Sequence, residues 1–299
     1  MTGELYAVLA LLLFSGNVFL VRPASARISQ PVGFLVLLLA NVAIASLLAG
    51  GQELLRRETV PLDYPAVGAF AVAGVFANYL GRWGYFRTVQ AIGPSRASAI
   101  QSSSPLFAVA FAWLALSQEL GVSQLLPMGL VVVGLCLAGS TEQGRDGSAS
   151  GAPRLPRREV MVAVGAAAAY AVGNVLRGGA VDRWHEPVLG ALVGAAGATL
   201  AYVTMHRREL LRRGVLRDLP RDGLVLWALS GMTMICAQTA LIAATAYLPV
   251  GVVVAVSTAT PVIVIPLSVL MLGNREQVTG RVATGAALIT GGVATLLLH

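Results

Sequence analysis

Apolar blocks of about 17–25 residues, the length of a membrane-spanning helix, recur from one end of this chain to the other. Nothing else in the sequence constrains the fold as strongly. Such a block crosses roughly 30 Å of hydrocarbon as a helix. Inside lipid there is no water to bond the backbone, so each block must satisfy its own N–H and C=O groups, which a helix does. A membrane barrel needs shorter segments with alternating polarity, and the blocks do not alternate. Composition excludes a soluble domain. Only 12% of the 299 residues are charged, 56% are hydrophobic, and the mean hydropathy is +0.75. A soluble chain carries about a quarter charged residues. The fold class is therefore all-α integral membrane, with ten transmembrane helices near 5–21, 32–51, 65–86, 95–117, 122–140, 160–177, 187–205, 223–246, 249–273 and 279–298.

All 21 basic residues are arginine, and the formal charge is +7. They sit between apolar blocks, where they mark membrane topology, so nucleic acid is not an expected partner. Ten spans place both termini on one side. That side holds Arg56, Arg57, Arg177 and Arg183, and the other side holds 16 arginines. The count puts the arginine-rich side in the cytoplasm and the termini outside. Cys136 and Cys236 lie within apolar blocks and read as small hydrophobes rather than a disulfide. His185, His206 and His299 are dispersed at segment ends and match no metal spacing. Residues 5–21 lack a basic n-region, so a retained first helix is expected rather than a cleaved signal.

The chain also repeats itself. "GNV" at 16–18 returns at 173–175, Pro94 matches Pro249, Pro105 matches Pro261, and Glu119 matches Glu276. The offset stays between 155 and 157. Residues 142–157 are rich in Gly, Ser, Pro and charge and read as a linker. They separate a first five-helix repeat (1–141) from a second (158–299). An odd number of spans per repeat makes the second enter the membrane from the opposite side. The halves are then inverted repeats, a plan that recurs in secondary transporters with a midplane site at the repeat interface.

The order, spacing and duplication of "SSSPLFAVAFAWLALSQE" (Ser102–Glu119) and "TPVIVIPLSVLMLGNRE" (Thr260–Glu276), with "YFRTVQAIGPSRAS" (Tyr85–Ser98) and the paired Gly-Asn, resemble the drug/metabolite transporter superfamily, in its ten-helix EamA-like branch. The resemblance covers nearly the whole chain. It implies transport of small molecules such as amino acids, nucleosides, drugs or other metabolites, no cofactor, and both termini in the cytoplasm. The last point opposes the arginine count. The four-helix multidrug members carry a glutamate in their first helix. Here Asn17 and Asn174 stand at depth instead, which speaks against that mode of proton-coupled cation export.

Candidate site residues follow from polar groups at membrane depth. In the third span, helical spacing gives Tyr79, Trp83 and Phe86 one face, and Asn78, Arg82 and Tyr85 the next. Aromatic walls with a few polar groups suit a small organic ligand, and Arg82 can fork onto a carboxylate. Equally, Arg82 can snorkel to the interface beside belt aromatics. Asn17 and Asn174 either line a cavity or bond between helices. Gln101 and Gln238 are further amides with cavity potential. Arg177 reads as a marker of its helix end. Pro105 and Pro261 interrupt their helices as static kinks or hinges, with Ser257, Thr260 and neighbouring hydroxyls re-bonding the freed carbonyls. Gly190 and Gly194 have the spacing of a close helix contact, within the chain or at a dimer face.

All 14 acidic residues fall in loops or at span ends, so a carboxylate-bearing or neutral solute is favoured over a cation. The expected protein is a non-enzymatic secondary transporter, an exporter or exchanger of amino acids or related solutes. A multidrug or nucleoside efflux protein is the alternative within the same fold. It is expected in a bacterial or archaeal plasma membrane, as a monomer or weak homodimer, with the bilayer and a small solute as its partners. A membrane enzyme acting on lipid or isoprenoid substrates would need clustered acids or a nucleophile at the interface. The charged stretch 206–222 has no ordered catalytic pair.

Overall fold

The computed structural model describes residues 2–56, 60–92, 97, 100–118, 121–139, 157–210, 219–264, 267 and 280–298. Most of the linker, together with Pro94, Glu119 and Glu276, lies outside them. The helices are α1 (Thr2–Ser25), α2 (Gln30–Leu55), α3 (Tyr64–Gly74), α4 (Arg82–Ile92), α5 (Ser104–Leu116), α6 (Val122–Gly139), α7 (Arg157–Arg183), α8 (Pro187–Leu210), α9 (Arg221–Thr245), α10 (Val250–Thr258) and α11 (Gly280–Leu298). A π-helical segment, Val75–Gly81, joins α3 to α4. The third span is thus one helical rod, Tyr64–Ala91, with a wide turn in its middle.

Among the described residues, six helical segments are long and apolar enough to cross a membrane: α1, α2, the Tyr64–Ala91 rod, α7, α8 and α9. Four shorter apolar helices, Ser104–Leu116, Ser123–Leu137, Val250–Val264 and Thr284–Leu296, fall where the remaining spans are expected. The fold is all-helical, and the ten expected spans match it roughly. Large apolar side chains stand on the outside. Leu54 is 89% exposed, and Leu47 and Leu200 are each 71% exposed. In water such surfaces would drive aggregation. Against acyl chains they need no cover.

Local chemistry explains the ends. Asp63 caps α3, its Oδ1 accepting from the Ala66 backbone N–H at 3.0 Å, and a proline follows in the first turn. Such a cap satisfies a donor that the helix leaves unmet. Ser117 closes α5 in the left-handed region, at φ 52°.

Two compact units emerge, and they cut across the sequence repeat. The first comprises Met1–Tyr79 with Leu176–Leu248, and the second Leu80–Val175 with Pro249–His299. Each unit draws on both halves of the chain. In the first, α1 and α2 pack on α9, and α2 and α3 pack on α8. Its core includes Phe70, Trp184, Ile235 and Ile242. The α3–α8 crossing is very close. A Cβ on Gly74 would run into the backbone carbonyl of Gly194, and one on Gly190 into the Phe70 ring. Between membrane helices, small residues allow this approach and the dispersion contact it brings. The Gly190–Gly194 spacing is therefore used within the chain. In the second unit, α6 packs on α11 and α10 on α5. Its core includes Ala108, Ala112, Ala171, Val175, Val250 and Val254.

Candidate functional site

The first unit buries three polar side chains in one cluster. Arg177 on α7 is 2% exposed, Asn78 in the π segment 1%, and Gln238 on α9 1%. Arg177 Nη2 donates to Asn78 Oδ1 at 2.6 Å and to Gln238 Oε1 at 3.2 Å. Burying a guanidinium is expensive unless its protons find acceptors, and the two amide oxygens supply them. The amide nitrogens are left over. Among the described residues, Asn78 Nδ2 and Gln238 Nε2 are buried with no acceptor.

This cluster corrects the sequence reading of Arg177 as a helix-end marker. Helix α7 continues to Arg183, the basic residue of its last turn. Arg177 therefore lies six positions inside the end, ~9 Å at 1.5 Å per residue. It also leaves the loop count, which makes the arginine asymmetry across the membrane steeper.

The π turn corrects a second expectation. Regular helical spacing puts Tyr79, Trp83 and Phe86 on one face. A π turn bonds i to i+5 and inserts an extra residue, so that phase does not carry across Val75–Gly81. Tyr79 is buried in the first unit and meets the Tyr202 ring edge-on at 5.8 Å and the His206 ring at 5.9 Å. Tyr202 donates to the Pro31 carbonyl at 2.9 Å and meets Phe34 edge-on at 5.0 Å. Arg82, Trp83 and Phe86 belong to the second unit and are half-buried there.

The duplicated asparagines make different hydrogen bonds. Asn17 on α1 accepts a hydrogen bond from Ser230 Oγ on α9 at 2.6 Å, and its Nδ2 lies 3.9 Å from Met234 Sδ. It joins two helices. Asn174, in the second unit, donates to the Tyr170 carbonyl of its own helix at 3.0 Å.

Both proline sites are helix breaks, and the proline opens the second piece. Turn residues Ser102 and Ser103 precede α5, whose first turn holds Pro105. Helix α10 ends at Thr258, and helix resumes at Pro261. Here proline removes no needed donor, because the first helical N–H groups are unmet anyway. Of the two expected forms of interruption, a kink or a broken region, the described residues show a two-residue break before each resumed helix, at 102–103 and at 259–260. Hydroxyls bond the carbonyls near each break. Ser103 Oγ donates to Ile100 O at 2.6 Å, Ser257 Oγ and Thr258 Oγ1 to Val254 O at 3.1 and 2.8 Å, and Thr260 Oγ1 to Ser257 O at 3.5 Å. Gln101 is half-buried beside the first break.

At one end of the first unit, ion pairs tie the α2–α3 and α7–α8 connections together. Arg56 Nη1 lies 2.7 Å from Glu186 Oε1, and Arg183 Nη2 lies 3.6 Å from Asp63 Oδ2. The hydrogen bond to Glu186 raises the Arg56 pKa above its ordinary value. Trp184 Nε1 donates to Pro61 O at 3.2 Å. Among the described residues no group of three or more His, Cys, Asp or Glu is placed to hold a metal ion.

These helices, their lipid-facing leucines and their buried polar clusters define a multi-pass α-helical membrane protein. The model of the EamA-like transporter family matches residues 1–140. Over that stretch the chain is similar to this family, a branch of the drug/metabolite transporter superfamily. A solved crystal structure shares the fold, with a TM-score of 0.79 at 18% identity, over 100% of this chain and 99% of the other. No curated protein sequence matches.

Proposed function

We propose that this chain is a secondary transporter of small metabolites, amino acids or related organic solutes, working by alternating access as an exporter or exchanger. The family match over the first 140 residues carries the reading, since the family is one of drug/metabolite-type transporters rather than enzymes. The matching Pro105 and Pro261 breaks support a tandem repeat, 1–141 and 158–299, as the moving architecture. Among the expected site residues, Asn78 and Gln238 are the strongest candidates for solute contact, because their amide nitrogens are buried without acceptors. Asn17 and Asn174 fit a packing role better. Arg82, Trp83 and Phe86, with Gln101, Ser257 and Thr260, remain candidates on the second unit. The site is a plasma-membrane one, bacterial or archaeal, in a monomer or weak homodimer.

The test is solute counterflow with purified protein in liposomes. Labelled amino acids, monocarboxylates, nucleosides and cationic dyes are offered in turn. Saturable, exchangeable flux of an amino acid or other organic metabolite is expected. Flux of multivalent cations alone moves the protein to the multidrug reading. Tight liposomes with no flux of any class overturn the transporter reading.

A further inference from the structure

We infer that Arg177, Asn78 and Gln238 form a subsite for a carboxylate group of the solute. This rests on the transporter reading and names the chemistry of its site. Both amide oxygens face Arg177, at 2.6 and 3.2 Å. The nitrogens of the same two amides are one carbon away from those oxygens, and each is buried with no acceptor among the described residues. Guanidinium carries donors only, and each amide nitrogen adds two N–H groups. What the cluster offers is therefore donors around a positive charge. Its complement is a group that only accepts and is negative. A carboxylate has two oxygens and about four acceptor positions, enough for both amides at once. An amide or alcohol would bring its own proton and no charge, and a cation would be repelled.

Placement supports the assignment. The three residues come from three helical segments of the first unit. Asn78 sits in the π turn, a feature that often marks functional positions. A purely structural cluster at membrane depth would be expected to use up its donors, because unmet polar groups in hydrocarbon are costly.

The experiment pairs acids with their amides. Isovalerate and L-leucine are compared with isovaleramide and with inorganic phosphate, by thermal unfolding of the detergent-solubilised full chain. Ligand binding raises the transition by mass action. Both carboxylates should raise it, and isovaleramide should not. Gln238→Glu keeps the side-chain shape and puts a carboxylate beside Arg177. It should fold and weaken carboxylate binding at least tenfold. Asn78→Asp applies the same logic from another helix if the first variant fails to fold. A wild type indifferent to both carboxylates, an amide as effective as its acid, a response to phosphate alone, or a Gln238→Glu chain that binds carboxylates normally overturns the subsite. Counterflow separates the two readings. If wild type and Gln238→Glu carry a carboxylate-bearing solute equally, transport stands and the subsite falls. If carboxylates bind, Gln238→Glu abolishes that binding and nothing is carried, the subsite stands and transport falls.

Discussion

Deleting the Ser230 hydroxyl tests whether Asn17 is a packing residue or part of a solute path. Ser230 Oγ donates to Asn17 Oδ1 at 2.6 Å, between α9 and α1, and both side chains are buried. Ser230→Ala removes the donor and leaves a buried acceptor short of one bond. Hydrogen bonds between membrane helices average about 0.6 kcal/mol and reach about 1.7. An unmet buried acceptor costs about 1–3 kcal/mol. The contact is short and buried, so a loss of about 1 kcal/mol is expected. Asn17→Ala should cost somewhat more, because it also leaves a cavity. It lets Ser230 turn back onto a carbonyl of its own helix. In the double variant the coupling energy should be about 0.5–1.5 kcal/mol. Unfolding in mixed micelles, titrated with a denaturing detergent, measures all three, and liposome flux is measured in parallel. A coupling below about 0.3 kcal/mol, inside the additivity error, refutes the helix-joining account. So does a folded Asn17→Ala chain that has lost transport.

Gly74→Ala drives a methyl into the Gly194 carbonyl, where no side chain can yield. It should destabilise by about 1–3 kcal/mol in the same unfolding assay, and an unchanged midpoint would contradict the close crossing. Gly33→Ala meets the Trp227 indole ring and should quench or shift tryptophan fluorescence as the indole is displaced. Pro105→Ala and Pro261→Ala should cost less than about 1 kcal/mol, because a first-turn proline contributes mainly chain stiffness; losses near 3 kcal/mol would mark a mid-helix proline instead. The arginine count predicts termini outside the cytoplasm. A C-terminal alkaline phosphatase fusion should then be active and a C-terminal green fluorescent protein fusion dark, and the reverse pattern would favour the orientation that the resemblance implies.

Much of this fold is legible in the sequence because lipid imposes so few solutions. Length and hydropathy place the six long apolar helices and, roughly, the four shorter ones, and turn chemistry places the breaks at Pro105 and Pro261. The site is harder to read. Arg177 looks like a boundary because charge usually ends a span, and only the continuation of α7 to Arg183 puts it inside. The π turn has no compositional mark in "VFANYLG", so the phase of Asn78 and Tyr79 cannot be counted from their neighbours. Asn17 and Asn174 share a motif, yet their hydrogen bonds differ: Asn17 meets Ser230 across a helix contact, and Asn174 donates to the Tyr170 carbonyl. Such partners depend on tertiary contacts, which spacing along one helix does not encode.

The reach of the Asn17–Ser230 bond has a consequence during synthesis. Its partners are 213 positions apart. At roughly 5–20 residues per second, a ribosome needs roughly 10–40 s after making Asn17 before it makes Ser230. Through that interval α1 sits in the bilayer, or beside the insertion machinery, with a polar amide whose eventual partner does not yet exist. The N-terminal helix should thus be the most vulnerable part of the nascent protein, and quality control should catch truncated chains there.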